Sequence, residues 1–218
     1  MKNKAFTLAE VLITLVVIGI VAAITVPTLT MTYQNYIFSS ALKKNFSVFS
    51  NAFSLVQKFD NNDYLDWGHS DDNSEGIYEN YKQIKNHLNI IRECNDKDGC
   101  WSTDITKQPN GQNAYAASKR GIGDNIITFT LSDGTNVCLD YWNEQDARTR
   151  FGITENLLPS SLAVWVDVNG DKKPNILGRD VFAFILTSNG LVPAGLNNNS
   201  ANCKTTGYDC TAKLVKKF

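Results

Sequence analysis

The sequence predicts an α+β fold: a long N-terminal α-helix whose first half is apolar enough to span a membrane, then a head built on a C-terminal antiparallel β-sheet. Three observations predict it. No charged side chain occurs between Val11 and Leu42. Past that point Phe38, Leu42, Phe46, Phe49, Phe53 and Val56 recur at spacings of four and three, which is the stripe of an amphipathic helix. Further on, short runs of β-branched and aromatic residues are divided by Asp-Gly and Asn-Gly turn signals.

The chain has 218 residues, enough for one compact domain plus an appended element. Its apolar residues crowd into the N-terminal stretch, and the remainder is rich in Asn, Asp, Gly and Ser. That shift separates a membrane or targeting segment from a water-exposed domain. The 21 basic and 22 acidic residues leave a formal charge of −1, and no basic block dominates the polar part. Bulk electrostatics therefore give no strong nucleic-acid signal.

The N-terminus opens with a short polar leader, residues 1–5, carrying Lys2 and Lys4. An ordinary secretory signal is cut after its apolar core, near small residues. Here no such site ends the core, and the helical pattern runs on. Residues 6–29 as a helix would be about 36 Å long, enough for a hydrocarbon layer of about 30 Å. The lysines place the N-terminal end in the cytoplasm and the head outside. Glu10 falls inside the apolar stretch. An ionised acid there costs roughly 2.5–3.5 kcal/mol, so it needs a partner, unless it snorkels to the surface of a simple anchor. Pro27 removes one backbone donor and should kink or locally melt the helix, and Gly19 is a second weak point. Both would let the helix adapt between environments; the alternative is a harmless bend, which membrane helices tolerate.

Phe6, Thr7, Leu8 and Glu10, after a short basic leader and before a long apolar run, resemble the prepilin segment of type IV pilins and type II secretion pseudopilins. Gly19 and Pro27 also fall where those helices often carry glycine and proline. The resemblance implies a pilin-like head and cleavage between Ala5 and Phe6 by a prepilin peptidase, followed by N-methylation of Phe6. The family usually has Gly before the cut, where this chain has Ala5, the nearest substitute in size. The resemblance further implies a single-pass protein of the bacterial inner membrane. An inner-membrane assembly platform would pass it into a filament, extracellular or periplasmic, of identical or other pilin-like subunits. There Glu10 of one subunit would pair with the Phe6 amine of a neighbour and set the axial register.

The domain plan is a leader (1–5), a transmembrane and polymerisation helix (6–29) and an extracytoplasmic head (30–218). In the head the first helix continues to about residue 59, where Asn61, Asn62 and Asp63 break it. Ile77, Tyr81, Ile84, Leu88 and Ile91 predict a second helix over about 75–91. The stretch from Cys94 to Asp124 reads as loop. Strand signals fill about 126–193: IITFTL and NVCLDY around Ser132-Asp133-Gly134-Thr135, then LAVWVDV and VFAFILT, then LVPAG after Asn189-Gly190.

Between the third and fourth of these strands, Asp167, Asn169 and Asp171 alternate like the first ligands of a calcium loop, and Asn175 stands at the ninth position. Gly178 occupies the twelfth, where a bidentate acid belongs; Asp180 follows two residues later. Similar loops occur in pilin-like heads, and the resemblance implies Ca2+ as a candidate ligand. The alternative is a polar hairpin whose Asp and Asn side chains cap their own turns. An all-oxygen set argues against zinc.

Cys94 with Cys100, and Cys203 with Cys210, each bracket a short loop without CxxC spacing. In an exported head each pair reads as a local disulfide, in a reducing compartment as free thiols. The C-terminal loop, 203–210, corresponds to the disulfide-bounded loop of many pilins. Tyr208 and Trp101 are candidate contact residues or ordinary packing. Cys138 reads as a small buried residue. Asn45-Phe46-Ser47 and Asn198-Asn199-Ser200 match the glycosylation sequon. No GxSxG, HExxH or phosphate-binding glycine loop is present, so nothing points to an enzyme. The functional readings are a structural subunit of a pilus or secretion pseudopilus, or a membrane-anchored adhesion module recognising a glycan, DNA or a surface.

Overall fold

A computed structural model describes residues 6–59, 74–95, 97–114, 126–154, 157–158, 160–196 and 202–216. The chain divides into two compact units, residues 1–37 and 38–218. Helix α1 (Leu8–Phe59) contributes its first part to one and its second part to the other.

In the first unit the apolar side chains from Leu8 to Met31 are exposed. The helix runs through Gly19 and Pro27 without melting. Threonine hydroxyls around the proline donate back to main-chain carbonyls: Thr25 to Val21 (2.9 Å), Thr28 to Thr25 (2.8 Å), Thr30 to Val26 (2.8 Å) and Thr32 to Thr28 (3.0 Å). A hydroxyl satisfied inside its own helix can enter lipid without an orphaned donor.

The second unit is an α+β domain. After α1 come α2 (Ser74–Lys85), β1 (Ile90–Asn95), β2 (Ile127–Leu131), β3 (Asn136–Asn143), α3 (Glu144–Phe151), β4 (Ser160–Asp167), β5 (Val181–Thr187), β6 (Gly190–Pro193) and α4 (Thr211–Val215). The six strands form one antiparallel meander in chain order.

Both faces of the sheet are covered, which is why β2, β3 and β5 are almost wholly buried. Phe129, Val137, Leu139, Val164, Val166, Phe182 and Phe184 point to one face, where Leu42, Phe49, Phe53 and Val56 of α1 meet Ile77, Tyr81 and Ile84 of α2. The alternate residues Cys138, Trp142, Ala163, Trp165, Ala183 and Ile185 point to the other, under Phe151 of α3, Trp101 and Tyr208.

The second helix ends at Lys85, six residues before the expected Ile91. Ile90 and Ile91 instead open β1, where Ile90 pairs with Leu131. Isoleucine is β-branched and favours a strand, and the four-and-three spacing that suggested a helix is accidental there. The stretch expected as loop from Cys94 therefore begins inside β1. The α3 turn of helix was not anticipated. The Asn143 side chain caps it by accepting from the Asp146 amide (2.8 Å), and Gly152 ends it in the left-handed conformation.

Candidate functional site

Thr7 and Glu10 form the start of α1. Thr7 donates to Glu10 Oε2 from both its amide and its hydroxyl, at 2.8 Å each. The Glu10 amide returns a hydrogen bond to Thr7 Oγ1 at 3.3 Å. This is a capping box, Thr-x-x-Glu, in which cap and acid satisfy one another's donors. The carboxylate also sits at the positive end of the helix. The Thr-Leu-Ala-Glu spacing of residues 7–10 is the sequence signal for this cap. Phe6 is exposed. Ala5 and the leader lysines lie outside the described residues. Gly19 stands in open space. Helix α1 contains an 18-residue window long and apolar enough to cross a membrane, none of it buried within the chain.

Residues 1–26 match the prokaryotic N-terminal methylation motif. This is the prepilin-type cleavage and methylation signal of type IV pilins and pseudopilins. The prepilin signal supports a pilin- or pseudopilin-like protein, a structural subunit rather than an enzyme. It implies processing by a prepilin peptidase and assembly with other pilin subunits. With the apolar helix that follows, it fits membrane anchoring with an extracellular head. Comparisons with curated proteins and with solved structures gave no significant match.

In the head, disulfides join Cys94 to Cys100 and Cys203 to Cys210. Cys138 is free and buried. Burial, with the Asp140 carboxylate adding to it, pushes its thiol well above the usual range. Tyr208 and Trp101 are buried rather than presented for contact, and Tyr208 packs edge-on against Phe151 and Trp165. Asn45, the first residue of one sequon, is fully buried and is no glycan acceptor. Its amide donates to the Ala41 carbonyl (2.9 Å) and to Thr135 Oγ1 (3.1 Å). The other sequon lies outside the described residues. Next to Asn45, Lys44 pairs with Asp133 at 2.9 Å, so two successive α1 residues grip the β2–β3 turn.

The β4–β5 loop holds the five residues read as calcium ligands. Asp167, Asn175 and Asp180 are buried, Asn169 is half-buried and Asp171 is exposed. Asp180 organises the backbone: Oδ1 accepts from the Ile176 amide (2.7 Å), and Oδ2 from the Asn175 amide (2.8 Å) and Asn169 Nδ2 (2.9 Å). Asp171 turns to β3 and β1, accepting from Asn136 Nδ2 (2.8 Å) and facing Arg92 at 3.6 Å. Burial raises the Asp180 carboxyl; it raises Asp167 further, with the neighbouring Asp180 charge adding to it.

The loop is also stacked on two others. Lys107 and Ile176 bridge in parallel through the Lys107 amide to the Asn175 carbonyl and the Leu177 amide to the Lys107 carbonyl, both 2.9 Å. Gly178, at φ +74°, lies against the C-terminal disulfide loop, where a Cβ would strike Cys210 Sγ. This explains why glycine, and no ligating acid, occupies that position. Among the described residues, the His, Cys, Asp or Glu trio whose donor atoms lie within 4.8 Å is Cys203, Asp209 and Cys210, and its two sulfurs are bonded to each other.

Proposed function

We propose that the protein is a structural subunit of a type IV pilus or a type II secretion pseudopilus. A prepilin peptidase cuts between Ala5 and Phe6 and Phe6 is N-methylated. Until assembly the subunit is held in the bacterial inner membrane by residues 6–29, with the N-terminus inside and the head outside. The observation that carries this reading is the methylation motif over residues 1–26, with its acid at Glu10 inside an uncharged run.

Cleavage exposes an α-amine on Phe6, with a pKa near 8 and a positive charge at neutral pH. Both Thr7 donors converge on Oε2 of Glu10, and we assign Oε1 to the Phe6 amine of a neighbouring subunit. Pairing the two charges removes the cost of burying either alone and fixes the axial step between copies. Gly19 and Pro27 are the points at which α1 adjusts on leaving the lipid, and the assembly platform drives that transfer.

The test is Glu10→Ala in cells that assemble the filament. The variant is expected to stay in the membrane fraction at wild-type amounts and to vanish from sheared filaments. Wild-type incorporation of the variant would overturn the register role.

A further inference from the structure

We propose that Asn110 is a self-modification site: the Gly111 main-chain nitrogen attacks its side-chain amide to give a succinimide, which water opens to aspartate and isoaspartate. The inference concerns the 38–218 unit alone and does not depend on polymerisation.

The sequence carries Asn-Gly three times, at Asn110, Asn169 and Asn189. Glycine has no Cβ to shield its nitrogen, so the three pairs start with the same intrinsic access. The fold then treats them differently. Lys107 and Asn113 form an antiparallel bridge, and the Gln108 amide donates to the Gln112 carbonyl at 2.8 Å. Pro109, Asn110 and Gly111 are therefore the tip of a small hairpin, and Gly111 takes the left-handed conformation there, at φ +87°. Asn110 and Gly111 are exposed, and a Cβ built on Gly111 would meet nothing within 4 Å.

The Asn110 side chain is held at both ends. Oδ1 accepts from the Gln112 amide at 2.9 Å, and Nδ2 donates to Gln108 Oε1 at 3.2 Å. The first bond curls the side chain forward over the Gly111 peptide. It also sets a main-chain N–H on the oxygen that turns negative when the Gly111 nitrogen attacks Cγ, at the spacing of an oxyanion donor. The step balances with water as its only reagent. The bond from Gly111 N to Asn110 Cγ forms, the Cγ–Nδ2 bond breaks, and the Gly111 amide proton leaves with Nδ2 as ammonia. Water then opens the ring at either carbonyl. The Gly111 N–H donates to the Gln108 carbonyl at 2.9 Å, so attack follows the opening of that exposed turn bond.

The other two pairs are held differently. Gly170 is buried, and a Cβ there would strike the Gly134 carbonyl oxygen. Asn169 Nδ2, the leaving group, donates to Asp180 Oδ2 (2.9 Å) and to the Lys173 carbonyl (3.2 Å), while its Oδ1 is buried without a donor. Asn189 is exposed, but Gly190 is the first residue of β6 and is paired with Thr187 in the ladder.

Modification has a structural consequence. Isoaspartate routes the main chain through Cβ and lengthens it by one carbon. The Gln108–Gln112 bond and the bond from the Asn110 amide to the Thr205 carbonyl (3.3 Å) are then drawn out of register. The hairpin lets go of the C-terminal disulfide loop.

The test is incubation of the full chain, in detergent, in heavy-oxygen water, both folded and in denaturant, followed by peptide mass spectrometry. In the folded chain Asn110 should take up oxygen from water at least about tenfold faster than Asn169 or Asn189, with isoaspartate among the products. In denaturant the three should agree within a few-fold. Gly111→Ala should slow Asn110 at least about tenfold and leave Asn189 unchanged, because a Cβ shields the attacking nitrogen. Hydrogen exchange at the amides of Gln108 and residue 110 should rise in the converted protein. Should Gly111→Ala fail to fold, the ranking of the three asparagines in the wild-type chain decides. Equal rates in the folded chain, earlier conversion at Asn169 or Asn189, or a Gly111→Ala chain that reacts as fast as wild type would each overturn the site. Unchanged hydrogen exchange would overturn the release of the loop.

Discussion

Thr7 and Glu10 hold each other at the first turn of α1: two donors of the threonine meet one carboxylate oxygen, and the acid's own amide returns to the hydroxyl. One glutamate therefore serves both the helix start and, in our proposal, the register between subunits.

That double duty can be separated. Thr7→Ser keeps the hydroxyl and should leave filament incorporation unchanged. Thr7→Val removes both the hydroxyl donor to Oε2 and the acceptor for the Glu10 amide, costing about 1 kcal/mol of helix start. Incorporation should fall several-fold, where Glu10→Ala abolishes it. Quantitative blotting of sheared filaments against the membrane pool measures the ratio; equal losses in Thr7→Val and Glu10→Ala would assign the whole effect to the cap.

The grip of α1 on the β2–β3 turn should depend on pH. Burial raises the Asp133 carboxyl, but the Lys44 ammonium and the Thr135 donors outweigh it and hold the group below its ordinary value of 3.8. A carboxyl lowered in the folded state stabilises it above the unfolded pKa, and that stability is lost as pH falls through the folded value. Lys44 is 59% exposed, so solvent screens the pair and its worth is about 0.5 kcal/mol or less. Asp133→Asn should lower the denaturation midpoint slightly at pH 7 and match wild type once the pH has fallen through the lowered folded value. A difference that persists in acid would locate the effect in the turn rather than the charge.

Gly178 and Gly111 make a matched pair. Both have positive φ, +74° and +87°, but a Cβ at Gly178 collides with the Cys210 side chain and one at Gly111 meets nothing within 4 Å. Gly178→Ala should cost about 2–4 kcal/mol and Gly111→Ala about 1. For a chain this size that is roughly 5–15 °C in Tm against a few degrees. Thermal denaturation of both variants tests whether the two loops are stacked.

Cys138 should be inert in the folded head. It is 0% exposed, and its thiol is pushed up, so little thiolate forms. A thiol reagent at pH 8 should label the protein only after unfolding, with Cys138 the labelled residue. Rapid labelling under native conditions would contradict its place between the sheet and α3.

Much of this was legible in the sequence, and the misses have physical reasons. The α1 stripe at Phe38, Leu42, Phe49, Phe53 and Val56 is buried as its spacing required. The turns at Asp133-Gly134 and Asn189-Gly190 join strands as read, because positive φ at glycine is a local signal. Leu88 and Ile91 misled because their spacing continues the four-and-three pattern of a helix, while the strand pairing of the adjoining Ile90 with Leu131 decides the outcome. Helix α3 was missed because its face is mostly polar, with only Ala147 and Phe151 buried; its signal lay in Asn143 and Gly152, the two caps. The pairings of Lys44 with Asp133 and of Asn45 with Thr135 span about ninety residues, and no local pattern reveals them. The polar loop around Tyr208 left open whether its ring makes contacts or packs; it packs, drawn inward by Phe151 and Trp165.

The central claim is that this chain enters a filament pathway through its first residues. Intact-mass and N-terminal peptide mass spectrometry of the protein purified from its own membrane tests it most directly. The account predicts a chain beginning at Phe6 and carrying one methyl group on its α-nitrogen. A mature protein that still begins at Met1 would contradict it.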